Sequence, residues 1–146
     1  MIKWLRRLLG GVPETGEWAV SAGDENGQPV VVRTRTRAPK GMASEAFPTS
    51  IEIVWRFDEG AQGGMPPTEL AARMAECENV LGALEGPANG LLGMTITGNG
   101  RREWVWYVAD ADEFSARAQD LLKTSGGRFP LEVRSASSRR RTARSR

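Results

Sequence analysis

The chain has 146 residues, a length that suits one domain with its own core. With a single cysteine it cannot form an internal disulfide, and without histidine it lacks the usual zinc and iron ligand sets. We therefore expect no metal, no cofactor and a reducing, cytoplasmic location. The formal net charge of +2 is misleading, because residues 136–146 contain five arginines and no acid; without those five charges the body carries −3, which disfavours a nucleic-acid-binding body.

The first 16 residues include a short basic and apolar run, MIKWLRRLLGGVP. Arg6 and Arg7 interrupt its apolar residues, so the run predicts neither a secretory signal nor a membrane span. We predict that residues 1–16 are mobile or packed on the body. Weak peripheral membrane contact through residues 1–9 stays open as an alternative.

Residues 17–36 are predicted to form a β-hairpin, because two β-favouring runs, WAV and VVV, flank the turn-forming segment GDENGQP. Arg33, Arg35 and Arg37 then alternate with threonines, which places the three guanidinium groups on one side of an extended segment. The favoured interpretation is an exposed, charged strand that resists aggregation; the alternative is a row of cations facing an anionic partner.

A strand and a helix follow. In TSIEIVWRF, apolar side chains at Ile51, Ile53 and Trp55 alternate with other residues, which predicts a strand with one apolar face. After Pro66-Pro67, an apolar helical stripe is formed by Leu70, Met74, Cys77, Leu81 and Leu84. Because Cys77 lies inside this stripe, we predict that it is buried and unreactive.

A second hairpin is predicted between Leu91 and Val108, with its turn at Asn99-Gly100. The turn leads into another strand rather than into a helix, so its glycines do not indicate a phosphate-binding loop. Asp110 and Glu113 predict the capping box of a second helix, whose inner face comprises Phe114, Ala118 and Leu121. A last strand is indicated by alternation at Phe129, Leu131 and Val133.

From Thr49 onward the predicted order is β-α-β-β-α-β. This order indicates an α+β fold, a ferredoxin-like sandwich in which an antiparallel sheet carries two helices on one face, preceded by the N-terminal β-hairpin. The hairpin either extends the sheet or lies across its free face. We assign residues 17–135 to a single domain and predict that the Arg/Ser-rich tail, residues 136–146, is disordered.

The predicted strand WVWYV is a candidate binding surface. Its alternation places Trp104 and Trp106 on one face and Val105 and Tyr107 on the other, so it is either buried on both sides or offers an aromatic face to a partner. RNA-recognition modules stack bases on such aromatics beside basic residues. The candidate interaction surface comprises Arg33, Arg35, Arg101, Arg102, Trp104, Trp106 and Tyr107, and the candidate anionic-partner tail comprises Arg139, Arg140, Arg141, Arg144 and Arg146.

Catalysis is not expected, and we assign no catalytic residue. Asp58 and Glu59 lack a partner acid at a spacing that suggests a glycosidase pair, and the acids at 110–113 are explained by helix capping. Without histidine, a serine or cysteine nucleophile would need a lysine or carboxylate as its base.

Four segments, taken in chain order, are similar to motifs of a known family. They are WAV with GQPVVVR between Trp18 and Arg33, PTSIEIVW at 48–55, GMP at 64–66, and TGNGRREWVWY at 97–107. Together they resemble a bacterial domain-of-unknown-function family, number 695, over about residues 17–133. The resemblance implies a shared fold and brings no activity. In layout the chain is also similar to ribonuclease E regulator B proteins, whose α/β sandwich binds a nuclease.

We therefore predict a non-catalytic regulatory or protein-interaction domain whose partner is a protein. An RNA-binding module that uses the sheet aromatics and the basic tail is one alternative. A small-molecule enzyme of unknown type is another, and a homo-oligomer stays open.

Overall fold

The computed structural model of the chain describes residues 18–57, 62–124 and 129–135. The secondary structure within these ranges is β1 (Trp18–Glu25), β2 (Gln28–Arg35), β3 (Thr49–Arg56), α1 (Thr68–Leu81), β4 (Gly90–Gly98), β5 (Arg101–Val108), α2 (Ala111–Thr124) and β6 (Leu131–Ser135). Short 3-10 turns occupy Ser44–Ala46, Gln62–Gly64 and Gly82–Leu84. Neither α1 nor α2 has the length and apolar character needed to cross a membrane.

All six strands form one antiparallel sheet in the order β1-β2-β4-β5-β3-β6. The α+β class is therefore confirmed. The N-terminal hairpin extends the sheet, because β2 pairs with β4 through partners such as Val31 and Thr97. The complete sheet is thus larger than a simple ferredoxin-like sheet, since two strands are added at the β4 edge.

Both hairpins turn on an Asn-Gly pair, which the sequence predicts for the second hairpin; in the first, the strands extend into the predicted turn segment GDENGQP and leave only Asn26-Gly27 between them. Asn26 and Gly27 have φ angles of 55° and 81°, and Asn99 and Gly100 have φ angles of 53° and 82°. Positive φ at both central residues matches the twist of antiparallel strands, which explains why these residues connect them. The Asn99 side chain donates a hydrogen bond of 3.0 Å to Glu25, so the two turns lie at the same end of the sheet.

The two helices pack against one face of the sheet, called here the inner face. The core includes Ile51, Ile53 and Trp55 of β3 with Met74, Cys77 and Leu81 of α1, and Phe114 and Ala118 of α2. The predicted burial of Cys77 is confirmed. The Asp110 side chain accepts a 2.9 Å hydrogen bond from the Glu113 backbone, which confirms this half of the predicted cap.

Two of the four resemblance segments, GMP and TGNG, meet at the end of the second hairpin. The backbone N–H of Gly100 donates to the carbonyl of Gly64 over 2.9 Å. Gly64 has a φ of +81°, and a Cβ there would lie 2.9 Å from the backbone of Asn99. A side chain at Gly64 would therefore strain the backbone and collide with the turn. This contact holds the chain in position just before Pro66 and α1.

Candidate interaction surface

The register of β5 separates the aromatic residues that the sequence analysis grouped together. Trp104 and Trp106 lie on the inner face and are only 0% and 1% exposed. Arg102 lies on the same face and is buried. Tyr107 lies on the opposite face, called here the outer face, and is 36% exposed. The seven candidate residues therefore do not form one surface.

Glu78 of α1 links the helix to two of the candidate residues. Its Oε2 accepts a 2.6 Å hydrogen bond from Nη2 of Arg33, and its Oε1 accepts a 2.9 Å bond from the indole nitrogen of Trp104. Both bonds are charge-assisted, and both carboxylate oxygens are used. Arg33 thus belongs to the junction between β2 and α1 instead of presenting a free cation.

Glu85, just after α1, plays a similar part for Arg35. The two side chains form a 2.5 Å ion pair, and Glu85 also accepts the backbone N–H of Leu92 at 3.0 Å. The Nε of Arg35 donates to the Leu92 carbonyl at 3.0 Å. Both guanidinium groups, of Arg33 and Arg35, stack on Trp18 with centroid distances of 4.6 Å and 4.5 Å. The Trp18 ring therefore covers these charges at the β1 side of the sheet.

Arg102 lies deeper in the same junction. Its Nε donates a 2.8 Å hydrogen bond to the Thr97 hydroxyl. Burial lowers the pKa of Arg102 to about 10, an effect that the nearby Glu78 carboxylate opposes. Burial raises the pKa of the neighbouring Cys77 thiol to about 12, and Glu78 adds to this effect. The thiol is therefore protonated at neutral pH and is a poor nucleophile.

Charges on the outer face form a second network. Arg101 binds Glu25 at 3.0 Å and Glu103 at 3.2 Å, and it donates to the Gly98 carbonyl. Arg134 of β6 binds Glu52 at 2.7 Å and approaches Glu103 at 3.8 Å. Arg134 thus spans β3, and it places a positive charge between two glutamates that are only 4% and 7% exposed.

The remaining part of the outer face carries an apolar patch, which we call the outer patch and define as Val32, Met94, Ile96 and Tyr107. Val32 pairs with Ile96, and Met94 pairs with Val105, the residue two before Tyr107. Tyr107 is exposed, and the other three side chains are half-buried. The Tyr107 ring lies over Gly93, where a Cβ would come within van der Waals overlap of it. Gly93 and its register shift therefore provide the space in which Tyr107 rests.

The carboxylates that pair with the arginines could not be identified from the sequence patterns. Glu78 and Glu85 lie at the edge of the helical stripe, and helical periodicity does not report which strand residue they meet. Glu52 and Glu103 could have been noticed as weak signals of a buried ion pair. Each lies two residues before a valine, Val54 and Val105 respectively, so the acid and the valine share the same side of their strand. An acid in that position indicates a buried cationic partner.

The other predicted features are placed as follows. The candidate tail, from Arg139 to Arg146, and the acids Asp58 and Glu59 lie outside the described residues. Within the described ranges, no group of three or more cysteine, aspartate or glutamate side chains is arranged to hold a metal ion.

A comparison with protein families matches residues 16–138 to the model of a family of unknown function, DUF695. The match covers all six strands and both helices. No curated protein matches the chain at a significant level.

Proposed function

Because the chain belongs to DUF695, a family that supplies no activity, we propose from its own contacts that it is a non-catalytic protein-interaction domain that docks its partner on the outer patch. The observation that supports this proposal is the adjacency of Val32, Met94, Ile96 and Tyr107, which are partly exposed on three neighbouring strands. Contiguous exposed apolar side chains of this kind mark interaction sites.

The chemistry of the outer patch favours an apolar segment of another protein. Tyrosine and methionine are enriched in protein interfaces, and Tyr107 combines a large apolar ring with a hydroxyl group. Arg101, a cation on the same face of the sheet, is already engaged by Glu25 and Glu103. A partner therefore gains more from burying apolar surface here than from supplying a charge.

RNA binding finds less support in the described residues. Base stacking needs an accessible aromatic platform beside uncompensated cations. Trp104 and Trp106 are enclosed between sheet and helices, and Arg33 is paired with Glu78. Tyr107 is the one aromatic of the candidate surface that could stack on a base.

Catalysis also finds little support. The described cysteine, Cys77, is buried with a raised pKa, so it is not available as a thiolate. The buried carboxylates of Glu52 and Glu103 are held by Arg134. A general base has to reach a substrate proton, and these groups are committed to holding the sheet together.

The experiment is a pull-down from lysate of the source cells with full-length protein, Ile96→Lys and the control Ala116→Lys. Ile96 lies in the outer patch, whereas Ala116 is exposed on α2 behind the sheet. Both variants add the same charge at a position that is not fully buried. We expect a protein that is captured by the wild type and by Ala116→Lys and is lost with Ile96→Lys, with or without nuclease.

Two results would contradict the proposal. If both variants retain the same partners, the outer patch is not the docking surface. If nuclease treatment removes the captured material, the partner is RNA or reaches the protein through RNA. Circular dichroism of Ile96→Lys establishes that the substitution leaves the fold intact, because its partly exposed site can release the lysine to water.

We also infer a ferredoxin-like unit within the sheet. In chain order, β3 to β6 occupy the positions second-third-first-fourth, all neighbours are antiparallel, and both helices contact one face. This arrangement supports the layout similarity to ribonuclease E regulator B proteins, and with it a regulatory role exerted by binding. A solved structure of another DUF695 member with a different order of these four strands would refute the fold inference.

A further inference from the structure

β1 forms one edge of the sheet, opposite the edge formed by β6. Its eight residues, WAVSAGDE, pair with β2 in an uninterrupted register from Trp18 to Glu25. The middle of the strand is exposed, and the side chains there are small, at Ser21, Ala22 and Gly23. Among the described residues, no strand pairs with its outer side.

The turn geometry determines which backbone groups face outward. In a hairpin with a two-residue turn, the residues flanking the turn exchange backbone hydrogen bonds, and every second pair does so along the strand. Glu25 and Gln28 flank the turn. The N–H and C=O groups of Val20, Ala22 and Asp24 consequently point away from β2, toward the free side.

The two sheet edges differ in their protection against pairing. Proteins block exposed edges with short strands, bulges, proline or charged residues. β6 has only five residues, follows Pro130 and carries Glu132 and Arg134. β1 is longer, contains no proline, lysine or arginine, and shows no register shift. The β1 edge is therefore the one prepared to accept another strand.

The charges along β1 indicate which strand it accepts. Asp24 lies at one end, and Trp18, on which the guanidinium groups of Arg33 and Arg35 stack, lies at the other. An antiparallel copy of β1 centred on Ser21 brings Asp24 opposite Trp18 of the second copy. Arg33 and Arg35 are already paired with Glu78 and Glu85, but with the buried Arg102 this junction holds three cations and two acids. Each Asp24 carboxylate then lies near a cluster that carries one excess positive charge.

We propose that the chain forms a twofold homodimer in which β1 pairs with β1 of a second copy, so that two six-stranded sheets join into one. The pairing that satisfies the outward groups places Val20 opposite Ala22 of the other copy, with two hydrogen bonds exchanged. The interface is isologous, and its twofold axis passes near Ser21.

The first test is sedimentation equilibrium of the full chain over a range of concentrations. Ala22→Pro removes an outward N–H without removing a bond to β2, and proline is tolerated at strand edges. We expect the dimer dissociation constant to rise at least about tenfold, since two interchain hydrogen bonds are lost. The matched control Ala22→Val keeps the N–H group and should dimerise like the wild type.

Asp24→Asn tests the ionic component of the interface. The amide oxygen preserves the acceptor for the Gly27 backbone N–H, which Asp24 contacts at 3.3 Å. We expect dimerisation to weaken a few-fold at low salt and the difference from wild type to shrink at high salt. Equal weakening at all salt concentrations would contradict the proposed contact with the stacked arginines.

Oxidative cross-linking tests the register of the β1–β1 pairing without a proline, and so without any effect of Ala22→Pro on folding. Ser21→Cys places two thiols across the twofold axis at a directly opposed pair, where a disulfide is geometrically allowed. Ala116→Cys places an equally new thiol on α2, away from the edge, and Cys77 is buried in both. We expect covalent dimer from Ser21→Cys and little from Ala116→Cys.

A monomer at every concentration would overturn the dimer, and equal cross-linking of the two cysteine variants would overturn the proposed register. A dimer unaffected by Ala22→Pro would overturn the β1 interface. This inference is separate from docking on the outer patch: Ile96→Lys should leave the dimer intact, because Ile96 lies two strands from the edge.

Discussion

The inner and outer faces of the same sheet bury different kinds of side chain. On the inner face, Trp104 and Trp106 are enclosed by two helices, and Trp106 packs on Phe114 with ring centroids 5.2 Å apart. On the outer face, the buried groups include the carboxylates of Glu52 and Glu103, beside the partly exposed apolar residues of the outer patch. One side of the sheet is thus used for the core, and the other is divided between ion pairs and the outer patch.

The ion pairs of the two faces also connect different parts of the molecule. On the inner face, Glu78 and Glu85 join α1 and the turn after it to Arg33 and Arg35 of β2. On the outer face, Arg134 joins β6 to the adjacent strand β3, with β5 within reach. The inner pairs therefore hold helix against hairpin, whereas the outer pairs hold strands in register. This difference is open to direct measurement.

The largest effect should follow from Trp104→Ala, which empties a fully buried site and removes the indole bond to Glu78. We expect a loss of about 3–5 kcal/mol in the free energy of unfolding, measured by urea denaturation. Tyr107→Ala, on the same strand but on the outer face, should cost about 1 kcal/mol because its ring is partly solvated. Equal losses would mean that the two faces are not different environments.

Glu78→Ala should be the next most costly change. It leaves the guanidinium of Arg33 and the indole N–H of Trp104 without their acceptor, so we expect a loss of about 2–4 kcal/mol. The double variant Arg33→Met/Glu78→Met, measured in the same denaturation series, should recover part of that loss because the guanidinium of Arg33 is removed together with its acceptor. The recovery should be incomplete, since the buried Arg102 still lacks the nearby Glu78 carboxylate. A double variant as unstable as Glu78→Ala would argue against a specific pair.

Arg134→Ala should cost less, about 1–2 kcal/mol, because its side chain is partly exposed and water can reach the site. Urea denaturation measures this loss. Arg134→Lys keeps the positive charge beside the two carboxylates and should cost less than Arg134→Ala. Equal losses from the two variants would mean that the charge of Arg134 does not stabilise the buried carboxylates of Glu52 and Glu103.

The smallest effect concerns Cys77 and alkaline pH. Its pKa is about 12 in the fold against an ordinary value of 9.0, so the unfolded chain loses the thiol proton first as the pH rises. Stability from this group is complete below pH 9 and decreases above it. Between pH 8 and 10, the free energy of unfolding should fall more steeply for wild type than for Cys77→Ala. Identical slopes would contradict the raised pKa.

Much of the local structure was predictable because it repeats within single elements. The alternation of Ile51, Ile53 and Trp55 predicted β3, and the spacing of Met74, Cys77 and Leu81 predicted the buried side of α1. The turn at Asn99-Gly100 followed from backbone sterics. The candidate site was less predictable: the opposite orientations of Trp104 and Tyr107 were correct, but which face the helices would cover could not be read from alternation alone.

By itself the sequence determined the elements, their apolar sides and the turns between neighbouring strands, because these depend on side-chain periods and dihedral preferences of a few adjacent residues. The tertiary structure alone decided that β2 pairs with β4 and that Glu78 meets Arg33. It also decided that Ser21, Ala22 and Gly23 lie on an edge strand, with no further strand beside it among the described residues. Such contacts join residues dozens of positions apart. Their formation depends on the summed burial and pairing of the whole sheet, which no local pattern records.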